Sequence, residues 1–232
     1  SQTQFGMPFR KFLGLCTRAL TPSGALQLPN NDQHPASPTA SKLSSPSMEK
    51  AFILYDLEAT CWRTSRPKRV EIIEVGAVKV NADLEIVSEY CAFVRPLVHP
   101  VISKFCTSLT SIRQSDIDFA PQFDEVMEDY EDWMGVGKAD VIPMSWGDFD
   151  KRQLITDAAL HNMQLDWLDA HVCFQKHFGK WKKSQNQVGL KKALEEEGIN
   201  WSGTEHRAID DARNMAELFC KVASNIPSLR LK

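Results

Sequence analysis

The 232-residue chain lacks any run of about 18 apolar residues, so the sequence offers no membrane-spanning helix. Its six cysteines, Cys16, Cys61, Cys91, Cys106, Cys173 and Cys220, include no CxxC pair, which leaves a zinc site unsupported. No internal repeat is visible, which excludes solenoid architectures. An excess of basic charge is also missing. The formal net charge is −3, and a protein that merely coats nucleic acid is usually basic. What remains is 43% hydrophobic and 25% charged, ordinary for a globular protein and too apolar for a wholly disordered one. A chain of this length buries a core without disulfides, so the thiols are expected to be reduced and the protein intracellular, cytoplasmic or nuclear.

Acids are scarce at the start. Residues 1–48 carry Arg10, Lys11, Arg18 and Lys42 against the single acid Asp32, and hold six of the twelve prolines. Such a segment buries too little apolar surface to offset its ordering entropy, so a disordered tail is expected. Phe5, Phe9, Phe12 and Leu13 interleaved with Arg10 and Lys11 also fit a basic targeting segment, mitochondrial or for another organelle. Taking the tail's charges away leaves residues 49–232 near −6, an acidic balance whose carboxylates are either solvated or used.

From residue 50 the pattern alternates. AFILYDL (51–57) is a short apolar run expected as a buried central strand. VEIIEVGAVKV (70–80) and EIVSEYCAFV (85–94) are expected to follow it as an antiparallel meander, with Gly76 marking a bulge or a close approach. Residues 121–134, 149–162, 188–197 and 206–224 are expected as helices, and 140–146 as a further strand in which Pro143 is awkward. A loop is expected around Pro96 and Pro100. The order implies an α/β fold with a mixed sheet and helices on its faces, whose sites gather at strand ends.

Three acidic features stand out. Asp56 and Glu58 close the first apolar run. Two residues apart on a strand, they share a face, where repulsion is tolerable if a cation sits between them. Hard cations such as Mg²⁺ take oxygen ligands of this kind. Asp-x-Glu occurs again at 83–85 and 129–131, but only 56–58 follows a buried run. The second feature is Asp148 in SWGDFD, between a strand and a helix. It suits either a helix cap or a third carboxylate, and Asp150 could supply the same chemistry. The third is EHRAIDDARN (205–214), where Asp211 lies near the direction of the apolar stripe Met215, Leu218, Phe219 and Val222, five residues after His206. An inward Asp is costly unless paired or metal-bound.

In this order the three motifs resemble those of the DEDDh group of DnaQ-like 3′–5′ exonucleases, over most of 50–225. DLEATCW, FCTSLTSIRQSDIDFAP, SWGDFD and EHRAIDDARN are similar to the histone-mRNA 3′-exonuclease and enhanced-RNAi exonuclease subgroup. The resemblance implies an RNase H-like, DnaQ-like mixed sheet in an exonuclease domain over 49–232. It implies Asp56, Glu58, Asp148 and Asp211 as ligands of two divalent ions, Mg²⁺ or Mn²⁺, with His206 as general base. It also implies a reaction that frees nucleoside 5′-monophosphates from single-stranded RNA 3′ ends. Phe105 and Leu109 would help hold the terminal nucleotide, and backbone at Leu57 and Ala59 would meet its sugar. One departure is Ser111, where the subgroup often has Gly.

Substrate grip is expected from basic residues beside aromatics. Arg63, Arg66, Lys68 and Arg69 follow the first motif, and Trp62 could stack on a base or simply pack. Lys176, Lys180, Lys182 and Lys183 surround Trp181; a solvated surface fits them equally well. Two rival readings stay open, a DNA-directed exonuclease and an inactive RNA-binding or partner-binding module. No protein partner is written in the sequence.

Overall fold

The computed structural model describes residues 49–64 and 69–229; the tail expected over 1–48 lies outside them, as do Arg66 and Lys68. Five strands form one sheet in the order β3-β2-β1-β4-β5. They are β1 (Lys50–Ala59), β2 (Ile72–Asn81), β3 (Ile86–Phe93), β4 (Asp140–Ser145) and the short β5 (Val172–Cys173). The first three run antiparallel, as the short connections require. β4 and β5 are parallel to β1 and to β4 respectively, reached through helical crossovers. Pro143 fits because β5 meets β4 only at Met144 and Ser145, so the proline stands where β4 has a single neighbouring strand.

Seven helices cover the sheet among the described residues: α1 (Lys104–Thr110), α2 (Gln114–Ile117), α3 (Phe123–Met134), α4 (Phe149–Leu160), α5 (Phe174–Trp181), α6 (Leu190–Glu196) and α7 (Ala208–Val222). Ile53, Tyr55 and Leu57 of β1 point to one face, where Val126, Met127 and Tyr130 of α3 and Leu154 of α4 close a core. Phe52 and Leu54 point to the other, against Phe174 and Phe178 of α5 and Ala212, Met215 and Phe219 of α7. The expected loop after β3 in fact runs into α1 and α2, over a small satellite core of Ile73, Cys106, Ile112 and Ile117. Helix α5 was also absent from the sequence expectation, although Phe174, Phe178 and Trp181 carry its periodicity.

Register explains where the site lies. On the α7 side of the sheet, Phe52 pairs with Val80, Leu54 with Val78, Asp56 with Gly76 and Glu58 with Glu74. One face therefore turns from apolar to acidic along its length. Gly76 is the close-approach point. A Cβ there would lie 2.1 Å from the Ile209 nitrogen and 2.2 Å from the Ala208 carbonyl carbon. The missing side chain lets the first turn of α7 rest on β2 next to Asp56. The chain before that turn is tied to the helix itself. Asp210 accepts from the Thr204 N–H (2.9 Å), and Asn214 exchanges hydrogen bonds with the Ser202 N–H (3.0 Å) and carbonyl (2.7 Å).

Gly76→Ala should therefore cost about 3 kcal/mol or more of stability in urea unfolding, because backbone rather than a pliable side chain must move. Gly179→Ala in α5, where nothing lies within 4 Å of the added Cβ, should be neutral or stabilising by up to about 1 kcal/mol.

Candidate active site

Asp56 and Glu58 stand at the end of β1 and Asp211 in the first turn of α7. Each can offer a carboxylate oxygen so that all three lie within 4.8 Å of one another. All three side chains are only partly exposed. Of the two aspartates left open after β4, the structure brings Asp150 against this group, and not Asp148. The Asp148 carboxylate turns away to Lys176 of α5 at 2.5 Å, and that ammonium holds its pKa below the usual carboxylate value. It makes no side-chain cap to α4 either, although it occupies the cap position. Asp150 is 6% exposed, accepts the Leu57 N–H and contacts Ser145. The reason is local geometry. Gly147 takes φ +135, and the chain enters α4 so that the second residue of its first turn, Asp150, faces inward while Asp148 stays at the rim.

These acids perturb one another. Burial, then Asp150, Asp211, Glu58 and Glu74, push the Asp56 pKa well above its ordinary value. Burial first, then Asp211 and Glu74, raises Glu58 to about 8. Burial raises Asp211 to about 7, opposed by a hydrogen bond from the His206 backbone. Burial likewise raises Asp150 to about 6, opposed by backbone hydrogen bonds and Ser145. A cluster that resists ionisation is one in which a divalent cation replaces protons. The donor set is all oxygen, suited to a hard ion such as Mg²⁺ or Mn²⁺.

His206 is exposed and adopts a left-handed backbone, φ 63. The next residue, Arg207, reaches back to Glu74 of β2, which is fully buried. Sequence reading missed Glu74. Its signal was an acid inside a β-branched run, at a strand position directly opposite Glu58. Glu71, three residues earlier and 2% exposed, was missed as well. Its carboxylate accepts the N–H groups of Leu97, Val98 and His99 at 2.6–3.0 Å and fixes the loop after β3.

The residues expected to grip substrate divide. Ser103 caps α1 through the Cys106 N–H (3.0 Å) and donates to the Cys61 carbonyl (2.6 Å), which ties α1 to the chain leaving β1. Phe105, partly exposed, and Leu109, exposed, lie on this helix, with the Arg63 guanidinium 5.8 Å from the Phe105 ring. Trp62 packs edge-on against His99, which favours packing over stacking for this ring. The Leu57 N–H is taken by Asp150, and the Ala59 carbonyl by the Cys106 thiol (3.7 Å). Ser111 closes α1 at φ 61, which accounts for the glycine preference at this position in the subgroup it resembles; here a serine bears the strain. Two of the four lysines of the second basic cluster are in ion pairs, Lys176 with Asp148 and Lys182 with Glu197.

Residues 53–219 match the family model described as Exonuclease, RNase T. The chain belongs to the exonuclease family. Among curated proteins it is 29% identical over 215 residues to ERI1 exoribonuclease 2 of Xenopus laevis, covering 78% of this chain and 30% of that one. With ERI1 exoribonuclease 2 of Danio rerio it shares 32% identity over 216 residues, covering 80% and 37%. The chain thus spans about a third of the length of these relatives. Among solved structures it superposes at TM-score 0.70 and 27% identity on the nuclease domain of 3′hExo, a DEDDh family member bound to rAMP, covering 78% of this chain and 94% of that one. The mixed sheet with antiparallel first strands and flanking helices is the DEDDh, RNase H-like exonuclease fold, a family that binds divalent metal.

Because the folded pKa values of Asp56, Glu58, Asp150 and Asp211 are all raised, the metal-free fold binds more protons than the unfolded chain. Their contribution to stability is therefore full below about pH 4 and is lost as pH rises through about 6 to 8. Bound metal removes that loss. Calorimetric titration with Mn²⁺ should show affinity rising from pH 6 to pH 8 with proton release, and the metal-induced rise in melting temperature should grow over the same range. Affinity independent of pH would contradict the protonated cluster.

Proposed function

We propose that this domain is a metal-dependent 3′–5′ exoribonuclease that releases nucleoside 5′-monophosphates from single-stranded RNA. The observation that carries the proposal is the convergence of Asp56, Glu58 and Asp211 with buried Asp150 beside them, from three separate chain segments, in a chain of the exonuclease family. A binding module has no need of four acids held together against their repulsion. The RNA preference is supported by relatives named exoribonucleases and by the ribonucleotide bound in the neighbouring nuclease domain.

In this reading Asp56, Glu58, Asp150 and Asp211 hold the ions, Asp150 taking the place first expected of Asp148. Two bound divalent ions would neutralise the scissile phosphodiester and stabilise charge on the entering and leaving oxygens. His206 accepts the proton of the attacking water. It sits on an exposed loop, its backbone hydrogen-bonded to Asp211, and its imidazole is open to solvent and substrate. Phe105, Leu109 and Arg63 present an apolar and cationic edge next to the end of β1, fitted to a base and its phosphate. Until the acids are neutralised, the same site repels a polyanion, so substrate affinity depends on metal.

The test is a time course on 5′-labelled single-stranded RNA and matched DNA with Mg²⁺ or Mn²⁺. A descending ladder on RNA, abolished by EDTA, is expected. Asp150→Ala should lower turnover by at least about 100-fold, as expected for loss of charge stabilisation, whereas Asp148→Ala should stay within a few-fold. His206→Ala should lower turnover about 10²–10⁴-fold while Mn²⁺ affinity is kept. A ladder mainly on DNA would overturn the substrate assignment. Loss of activity with Asp148→Ala and not Asp150→Ala would overturn the ligand set.

A further inference from the structure

We propose that the pair formed by buried Glu74 and half-buried Arg207 is a positioning device that holds His206 in its working backbone conformation. The inference rests on the role given to His206 above. His206 sits at φ 63. A non-glycine residue held there costs of order 1–3 kcal/mol and persists only where its surroundings over-determine it. The surroundings here are specific. On one side the His206 backbone hydrogen-bonds the Asp211 carboxylate. On the other, Arg207 donates from Nε to both Glu74 oxygens at 3.2 and 3.1 Å and from Nη2 to Oε1 at 2.7 Å. Its guanidinium also lies 5.5 Å from the Phe93 ring. The Ala208 N–H donates to Glu74 at 3.0 Å, so the same carboxylate caps the start of α7. Residues 206–208 are thus pinned to β2 at one end and to the metal-binding acid at the other.

Glu74 lies near the acids Asp56, Glu58 and Asp211 but is not one of the group that could share an ion. It faces the same side of the sheet as Glu58, directly across from it, yet its oxygens accept from Arg207, Ala208 and the Cys91 thiol (3.6 Å). Stability does not account for the arrangement, because well-packed apolar residues commonly replace a buried ion pair without loss. A forked guanidinium on a rigid strand carboxylate instead fixes direction, which a single apolar contact does not.

The test compares the purified protein with Glu74→Gln, Arg207→Lys and the Glu74→Met/Arg207→Met double variant, each alone and with His206→Ala. Glu74→Gln is expected to lower kcat about 10- to 100-fold, as for a small misplacement of a reacting group. KM and Mn²⁺ affinity should stay within about three-fold. Arg207→Lys should fall by a similar factor, since an ammonium cannot span both oxygens. The double variant, which leaves no unpaired buried charge, should still fold, somewhat less stably than the parent because the Ala208 N–H loses its acceptor, and should show the same loss of kcat. In the His206→Ala background Glu74→Gln should produce no further fall. An equal fall in both backgrounds would overturn the proposal. Amide hydrogen exchange provides a readout independent of activity, with faster exchange expected at 206–208 in Glu74→Gln. If the parent protein degrades neither RNA nor DNA, the nuclease reading fails on its own. Unchanged exchange at these amides would then overturn the clamp.

Discussion

Four carboxylates that repel one another are held close together at the end of β1, and the fold is arranged around that constraint. Asp56 and Glu58 are held because they lie on β1, which is paired on both edges as far as Leu54 and with β2 at Asp56 and Glu58 themselves. Asp211 reaches them only because Gly76 leaves no Cβ between β2 and the first turn of α7. Asp150 arrives from the opposite edge of β1, where the Leu57 N–H steadies it. Each acid is carried by an element whose remaining residues are packed in one of two cores, so apolar burial on both sheet faces offsets the electrostatic cost at the strand ends.

That division of labour fits a broader pattern in which buried acids serve as anchors for backbone. Glu71 gathers three N–H groups of the loop after β3, and Glu74 takes the start of α7 together with Arg207. Asp157 of α4 accepts the Ile72 N–H at 2.7 Å. Each of these buried carboxylates takes backbone N–H groups from a segment distant in the chain and so ties two parts of the fold together. The acidic balance of the folded part is therefore only partly a matter of surface charge. Several of its acids are internal fittings, and four more cluster at the end of β1.

Much of this was legible in the chain because its signals are local. The apolar run ending in Asp56 and Glu58 has period two, so the shared face of the two acids followed directly. The antiparallel meander followed from short connections, and the close approach at Gly76 from a lone glycine in a β-branched strand. Helix α7 announced itself through the stripe of Met215, Leu218, Phe219 and Val222. Less visible were α1 and α5, short helices whose few apolar positions sit among polar ones.

The sequence alone determined the fold class, the order of the four main strands and the longer helices, and the candidacy of Asp56, Glu58, Asp211 and His206, since each depends on neighbours within a few residues. Tertiary structure alone set Asp150, and not Asp148, against the acids of β1 and α7. The two differ by which way the chain turns at Gly147 and by where Lys176 of α5 lies, 28 positions beyond Asp148. It also decided that Glu74 binds Arg207, a contact across 133 positions that no local pattern encodes. Periodicity reports which face a side chain occupies. Which partner waits on that face is set by packing between elements distant in the chain, and the roles of acids with identical chemistry are assigned there.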